Sequence, residues 1–175
     1  LLAALRGADA FAHVVRAFES NRVPHIHGTV DPVRDAQALE DEFALADLQV
    51  IEGRQERVAR ELRIRKDHDL SVEAAVLVRC REALEAGTPL RTLEFSAPEE
   101  KAIRGYQFLT QKPLILVVNV GEGEEDTDVF TDLQDELRTR VVSLCVELEM
   151  ELAQLSPEDA ETFRADMGLS GEPAM

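Results

Sequence analysis

KPLILVVNVGEGEED, residues 112–126, changes character in the middle. Leu114, Ile115, Leu116, Val117 and Val118 follow one another without polar alternation, the pattern of a strand covered on both faces in a parallel sheet. Asn119 ends the run. From Gly121 onward the glycines and the acids Glu122, Glu124, Glu125 and Asp126 leave nothing apolar to bury. Three readings fit that break: the rim of a ligand site at a strand's carboxyl end, a metal-binding acidic loop, or a solvated turn.

Working outward, the neighbouring segments set the fold class. Residues 10–18 (AFAHVVRAF) are apolar with β-branched and aromatic residues and read as a second buried strand, with His13 a packed core residue. A third apolar run, residues 141–146, lies between helical stretches at 128–139 and 147–155. Strands alternating with helices imply parallel pairing and right-handed crossovers, hence an α/β sheet. In such sheets ligands bind beyond the carboxyl ends of the strands, which singles out Asn119 and Glu122 after one strand and Cys145 and Val146 near the end of another.

Between the first two strands lies a long helical interruption. Leu48, Ile51, Gln55, Val58 and Leu62 recur at alternating steps of three and four, a narrow coiled-coil seam within a helix over residues 33–66. KDHDL, residues 66–70, marks a turn. Leu70, Ala74, Leu77 and Leu84 form a second stripe, stopped by Gly87-Thr88-Pro89. The spacing predicts an antiparallel helical hairpin inserted between two strands of one sheet. Ser96-x-x-Glu99 is a capping box, with Pro98 in the first turn of a further helix running to about Phe108. Residues 33–108 are therefore expected to form the helical insertion, and residues 1–32 with 109–175 the α/β part.

Composition narrows function. The 175 residues carry 19 Lys and Arg against 35 Asp and Glu, a formal net charge of −16, while 45% are hydrophobic. A core is affordable at this length, and a broad surface for a phosphate backbone is disfavoured. Arg54, Arg57, Arg60, Arg63 and Arg65 are the candidates for a local electrostatic footprint. There is no 18-residue apolar run and no signal-peptide pattern, so a cytoplasmic protein without membrane contact is expected. Cys80 and Cys145, isolated and in segments of opposite type, suggest neither a disulfide nor a metal site. His25-x-His27 in an extended segment puts both rings on one side with Asp31 as a third ligand, but no fourth ligand or supporting shell accompanies them. Asp31-Pro32 reads more simply as an N-cap followed by Pro at the first helical position. Leu1 to Leu5 look like the end of a helix already under way, closed by Gly7, as if the chain were a piece of a longer one.

Four stretches carry a resemblance. VDPVRDAQALEDEFALADLQVIEGR, residues 30–54, is similar to the segment after the third G-domain motif of the YchF-type Obg-like ATPases, which are P-loop NTPases related to translation factors. ADAFAHVVRAFE (8–19) resembles the strand before it, FLTQKPLILVVNVGE (108–122) the fourth-motif region, and LCVELEMELAQLSPEDAETFRADMGL (144–169) the fifth motif and the helices after it. The resemblance implies the second half of a G-domain-like P-loop NTPase sheet with an inserted coiled-coil arm. It also implies an Asn-x-x-Glu base-recognition motif at Asn119, Val120, Gly121 and Glu122. An Asp at the last position would accept from both N1–H and the 2-amino group of guanine, neither of which adenine offers, so ATP is expected to be favoured over GTP. Cys145, Val146 and Glu147 align with the fifth motif, where a small polar residue, Ala and Lys are usual; Glu147 departs from it.

Phosphoryl transfer needs parts this sequence does not contain. No Gly-x-x-x-x-Gly-Lys-Ser/Thr run occurs, nor a strand ending in Asp-x-x-Gly. The chain alone is expected not to hydrolyse ATP, and Mg²⁺ is expected only together with a phosphate loop. Family analogy implies the ribosome or another translation component as partner. The alternative is a non-catalytic helical interaction module on a degenerate NTPase scaffold.

Overall fold

The computed structural model describes residues 2–122 and 139–166, which divide into two compact units, residues 2–11 with 35–114 and residues 12–34 with 115–122 and 139–166. The helical stretch expected at 128–139 lies almost wholly outside the described residues.

The first unit is helical. A short helix, α1 (Leu2–Leu5), precedes the first strand, β1 (Phe11–Arg16), and a long helix, α2 (Pro32–Ile64), supplies most of the remaining length. Gly7 donates from its N–H to the Ala4 carbonyl without adopting a left-handed conformation, so it closes α1 as an ordinary turn and not as the expected glycine cap. On α2 the buried residues are Ala36, Glu40, Phe43, Asp47, Ile51 and Val58. Of the residues read as a seam, Ile51 and Val58 are buried and Leu48, Gln55 and Leu62 half-buried. The buried stripe also continues toward the amino end through two acids. Glu40 is neutralised by a fork from Arg91, at 2.9 and 3.2 Å, and Asp47 receives a ring of donors from the chain around Leu109. Phe43, fully buried, packs on Phe11 with ring centroids 5.1 Å apart.

Helix α3 (His68–Glu85) follows residues 65–67, and the Asp67 side chain accepts from the Leu70 N–H at 3.1 Å. Its end is a Schellman arrangement: Thr88 N donates to Ala83 O and Gly87 N to Leu84 O, with Gly87 at φ +71°, a conformation a Cβ resists. Ile51 of α2 shares one core cluster with Val76, Leu77, Cys80 and Leu84 of α3, joined by Leu90, Ile103 and Phe108. Helix α4 (Ala97–Ile103) opens where expected, with Glu99 accepting from the Ser96 N–H and hydroxyl. It stops short of Phe108. Arg104–Tyr106 tighten into a 3₁₀ turn, and Gln107 then takes a left-handed conformation at φ 49°, which turns Phe108 into the core.

Arg54 corrects a reading made from charge pattern. It is not an exposed arginine of the helix face: its Nε and Nη2 donate to Glu73 at 2.7 and 2.8 Å, its Nη1 donates to Glu61, and the Tyr106 hydroxyl also donates to Glu73. A planar guanidinium on a facing carboxylate is a better use of that position than solvation, because its two N–H groups match the two oxygens. Arg57, Arg60, Arg63 and Arg65 are exposed. The Arg54 guanidinium holds the Glu73 carboxyl below the ordinary glutamate value, against the opposing effect of burial, while burial pushes the Tyr106 phenol up to about 12. A depressed folded-state value stabilises the fold above the unfolded-state value, near pH ~4.3, and that contribution is lost as pH falls through the folded-state value. Urea midpoints followed from pH 6 to pH 3 are therefore expected to fall more steeply for the native chain than for Glu73→Gln; parallel curves would contradict this.

In the second unit the sheet runs β1, β2 (Leu114–Asn119), β3 (Arg140–Leu144) in spatial order. β2 and β3 are parallel, with Asn119 opposite Leu144. At the β1 edge Phe11 N donates to Pro113 O and Ala17 N to Asn119 O, so both strands advance in the same direction by the same number of residues. On β2, Leu116 and Val118 are fully buried, whereas the alternate positions are half-buried; one face is covered less deeply than the unbroken apolar run implied. The third strand ends at Leu144. Cys145 leaves the sheet to cap helix α5 (Val146–Leu152), which is followed by α6 (Pro157–Asp166). Cys80 and Cys145 are both free and buried. Among the described residues no helix is long and apolar enough to cross a membrane.

Candidate functional site

The carboxyl end of β2 is built by three hydrogen bonds. The Asn119 carbonyl accepts from Ala17 N at 2.8 Å, Val120 N donates to the Leu144 carbonyl at 3.1 Å, and the Asn119 side-chain Oδ1 accepts from Val146 N at 3.1 Å. These tie the ends of β1, β2 and β3 to the first turn of α5. The last bond also orients the Asn119 amide. A backbone N–H needs an acceptor, so Oδ1 faces α5 and the two N–H donors of Nδ2 are directed elsewhere.

Beside that amide lies a cavity of about 280 Å³ lined by Phe18, Asn119, Val120, Gly121, Val146, Glu147 and Met150. Its size is just below the range of small-molecule pockets, which suits one planar ring better than a whole nucleotide. Four of the lining residues, Phe18, Val120, Val146 and Met150, are apolar. Phe18 is held by the residue two before it: the Arg16 guanidinium stacks 4.9 Å from the Phe18 ring, and its Nε donates to the Phe18 carbonyl at 2.8 Å.

Of the residues singled out from sequence, Asn119, Val120 and Val146 line this cavity together. Glu122 is exposed in the turn just past Gly121, and Cys145 is buried beneath the start of α5, its carbonyl accepting from Glu149 N; neither is part of the lining. Phe18, Gly121, Glu147 and Met150 were not proposed as lining residues. Phe18 was legible in principle, because it follows β1 at the strand end where parallel sheets place ligands. Met150 was not, since only the pitch of α5 brings it beside Val146 and Glu147.

Elsewhere, the His25 and His27 rings lie 5.9 Å apart, and Asp31 Oδ1 accepts from Arg34 N at 3.0 Å, acting as the helix cap. Among the described residues no group of three or more His, Cys, Asp or Glu side chains is placed to hold a metal. The cavity has one acid in its lining, so its donor set fits a base and does not fit Mg²⁺.

A parallel sheet with an apolar, hydrogen-bonding cavity beyond the carboxyl ends of its strands defines an α/β protein of the crevice-binding class. Over nearly its whole length the chain is homologous to the YchF-type Obg-like ATPases. It is 35% identical to the ribosome-binding ATPase YchF of Escherichia coli O157:H7 over 98% of this chain and 48% of that protein. Against the ribosome-binding ATPase YchF of Bacillus subtilis it is 33% identical over 96% of this chain and 48% of that protein. The structure of the Schizosaccharomyces pombe YchF GTPase superposes with a TM-score of 0.81 at 25% identity, over 95% of this chain and 48% of that one. The chain thus spans about half the length of the relatives it matches. No family model matches it.

Proposed function

We propose that this chain is the base-binding half of an Obg-like ATPase that prefers ATP to GTP, with Asn119 and Val120 reading the base, Glu122 bearing on purine choice from the turn just past the cavity, and Val146 forming the wall from the fifth motif with the buried Cys145 supporting it from behind. The orientation of Asn119 carries the reading. With Oδ1 engaged by Val146 N, the Nδ2 donors suit an acceptor such as purine N7, and the apolar lining suits the ring faces. Glu122 stands where a guanine-reading Asp would stand, and adenine has no N1–H or 2-amino group for such an acid to bind.

The sequence holds no phosphate loop of the Gly-x-x-x-x-Gly-Lys-Ser/Thr kind, so the 175 residues by themselves bind the base and do not hydrolyse ATP, and Mg²⁺ joins only with that loop. The relatives' names divide between ATPase and GTPase, so the preference rests on the site. Residues 33–108 form an antiparallel helical arm, a reading supported by the core cluster that Ile51 shares with Val76, Leu77, Cys80 and Leu84 and by the Arg54–Glu73 pair. By analogy with the bacterial relatives, which are named ribosome-binding, the arm docks on the ribosome from a cytoplasmic protein. Titration calorimetry of the full-length protein is expected to show ATP preferred over GTP and the preference weakened in Glu122→Asp. Equal affinity for both nucleotides, unchanged by that substitution, would favour a helical interaction module on a scaffold that has lost nucleotide binding.

A further inference from the structure

Among the described residues lining the cavity beyond β2 and β3, Glu147 is the one ionisable side chain, and the base-reading motif makes no use of it. We propose that Glu147 determines which purine is accepted, its carboxylate accepting a hydrogen bond from the 6-amino group of adenine. This rests on the base-binding reading above.

The argument begins with Asn119. Its Oδ1 is held by Val146 N at 3.1 Å, and Glu147, the next residue of the same helical turn, lines the same small cavity, within reach of a base whose N7 meets the Asn119 amide. An ionised carboxylate accepts and cannot donate. A donor beside an acceptor matches the outer edge of adenine, where N7 accepts and N6 donates; guanine and hypoxanthine present acceptors at both N7 and O6. The same carboxylate repels a 6-oxo group, giving selectivity through an opposing element as well as an attractive one. It also repels phosphate, so the ring enters between Phe18, Val120, Val146 and Met150 while the phosphates point outward. Glu147 therefore reinforces adenine selection and does not mark a lost site.

Purine riboside triphosphate, which is ATP without its 6-amino group, isolates this contact, and ITP tests the 6-oxo repulsion. In calorimetry on the full-length protein the native form is expected to bind ATP at least roughly tenfold more tightly than purine riboside triphosphate, and ITP more weakly still. In Glu147→Ala the first ratio is expected to fall to about one, with ITP gaining affinity as the repulsion is removed. Glu147→Gln keeps an acceptor without charge and is expected to fall between the two. A helix-capping role alone would lower affinity for all three nucleotides equally and leave both ratios unchanged. If ATP stays preferred over purine riboside triphosphate by the same ratio in Glu147→Ala, the role of Glu147 is overturned while base binding by Asn119 stands. If the native protein binds ATP and CTP alike, or neither, the base-binding reading fails and this inference with it.

Discussion

Asp47→Ala is expected to destabilise the protein by about 3–5 kcal/mol, the largest single-residue effect on its folding. Asp47 is fully buried on α2, and both its oxygens are occupied. Oδ1 accepts from Leu109 N and from Arg6 Nη1, each at 3.0 Å, and Oδ2 accepts from Thr110 N and Thr110 Oγ1, each at 2.8 Å. Removing the carboxylate leaves two buried amide N–H groups, a buried hydroxyl and one arm of a guanidinium to lose their acceptor together. Asp47→Asn is expected to cost nearly as much, because whichever way the amide turns it sets a donor against a donor. For a chain of this length the loss corresponds to a fall in Tm on the order of 10 °C. Asp41→Ala, on an exposed position of the same helix, serves as the comparison and should change Tm by no more than a degree or two, about 0.5 kcal/mol. A loss below about 1 kcal/mol for Asp47→Ala would show that water or a rearranged loop replaces the carboxylate.

The second large effect is expected at Asn119, and two substitutions separate its two bonds. Asn119→Ala removes the acceptor for Val146 N and the donors facing the cavity, so both the start of α5 and nucleotide affinity should suffer. Asn119→Asp keeps an acceptor for Val146 N but turns the donor side into a second acceptor, which opposes purine N7. The expected result is a normal unfolding curve for Asn119→Asp with ATP affinity lowered on the order of 100-fold, about the worth of one lost and one repulsive hydrogen bond. Undiminished ATP binding by Asn119→Asp, measured by calorimetry on the full-length protein, would remove Asn119 from the site.

How far the sequence could be read depended on the distance between partners. The strand at Leu114–Asn119, the extent of α2, the Asp31 cap and the Ser96 box were all legible, because each rests on neighbours within a turn or two. The third strand was placed, though read two residues too long: Cys145 and Val146 continue an apolar run yet cap and begin α5. The buried acids were not legible. Asp47, Glu40 and Glu73 have partners 62, 51 and 33 residues away, and a periodicity of apolar residues passes over a charge whose neutralising group lies so far along the chain. Arg54 was misread for the same reason, as an exposed charge on a helix face when Glu73 and Tyr106 enclose it.

The sequence by itself determined the class of fold, the family resemblance and Asn119 as the end of a buried strand. These follow from local pattern: an apolar run, a switch of period, a motif at fixed spacing. Only the tertiary structure decided which way the Asn119 amide faces, that Phe18 and Met150 share a cavity with it, and that Glu147 is the acid in that cavity. The reason is physical. A cavity is made where chain segments distant in sequence converge, and the choice between a donor and an acceptor at its wall depends on which bond the other end of the side chain has already made.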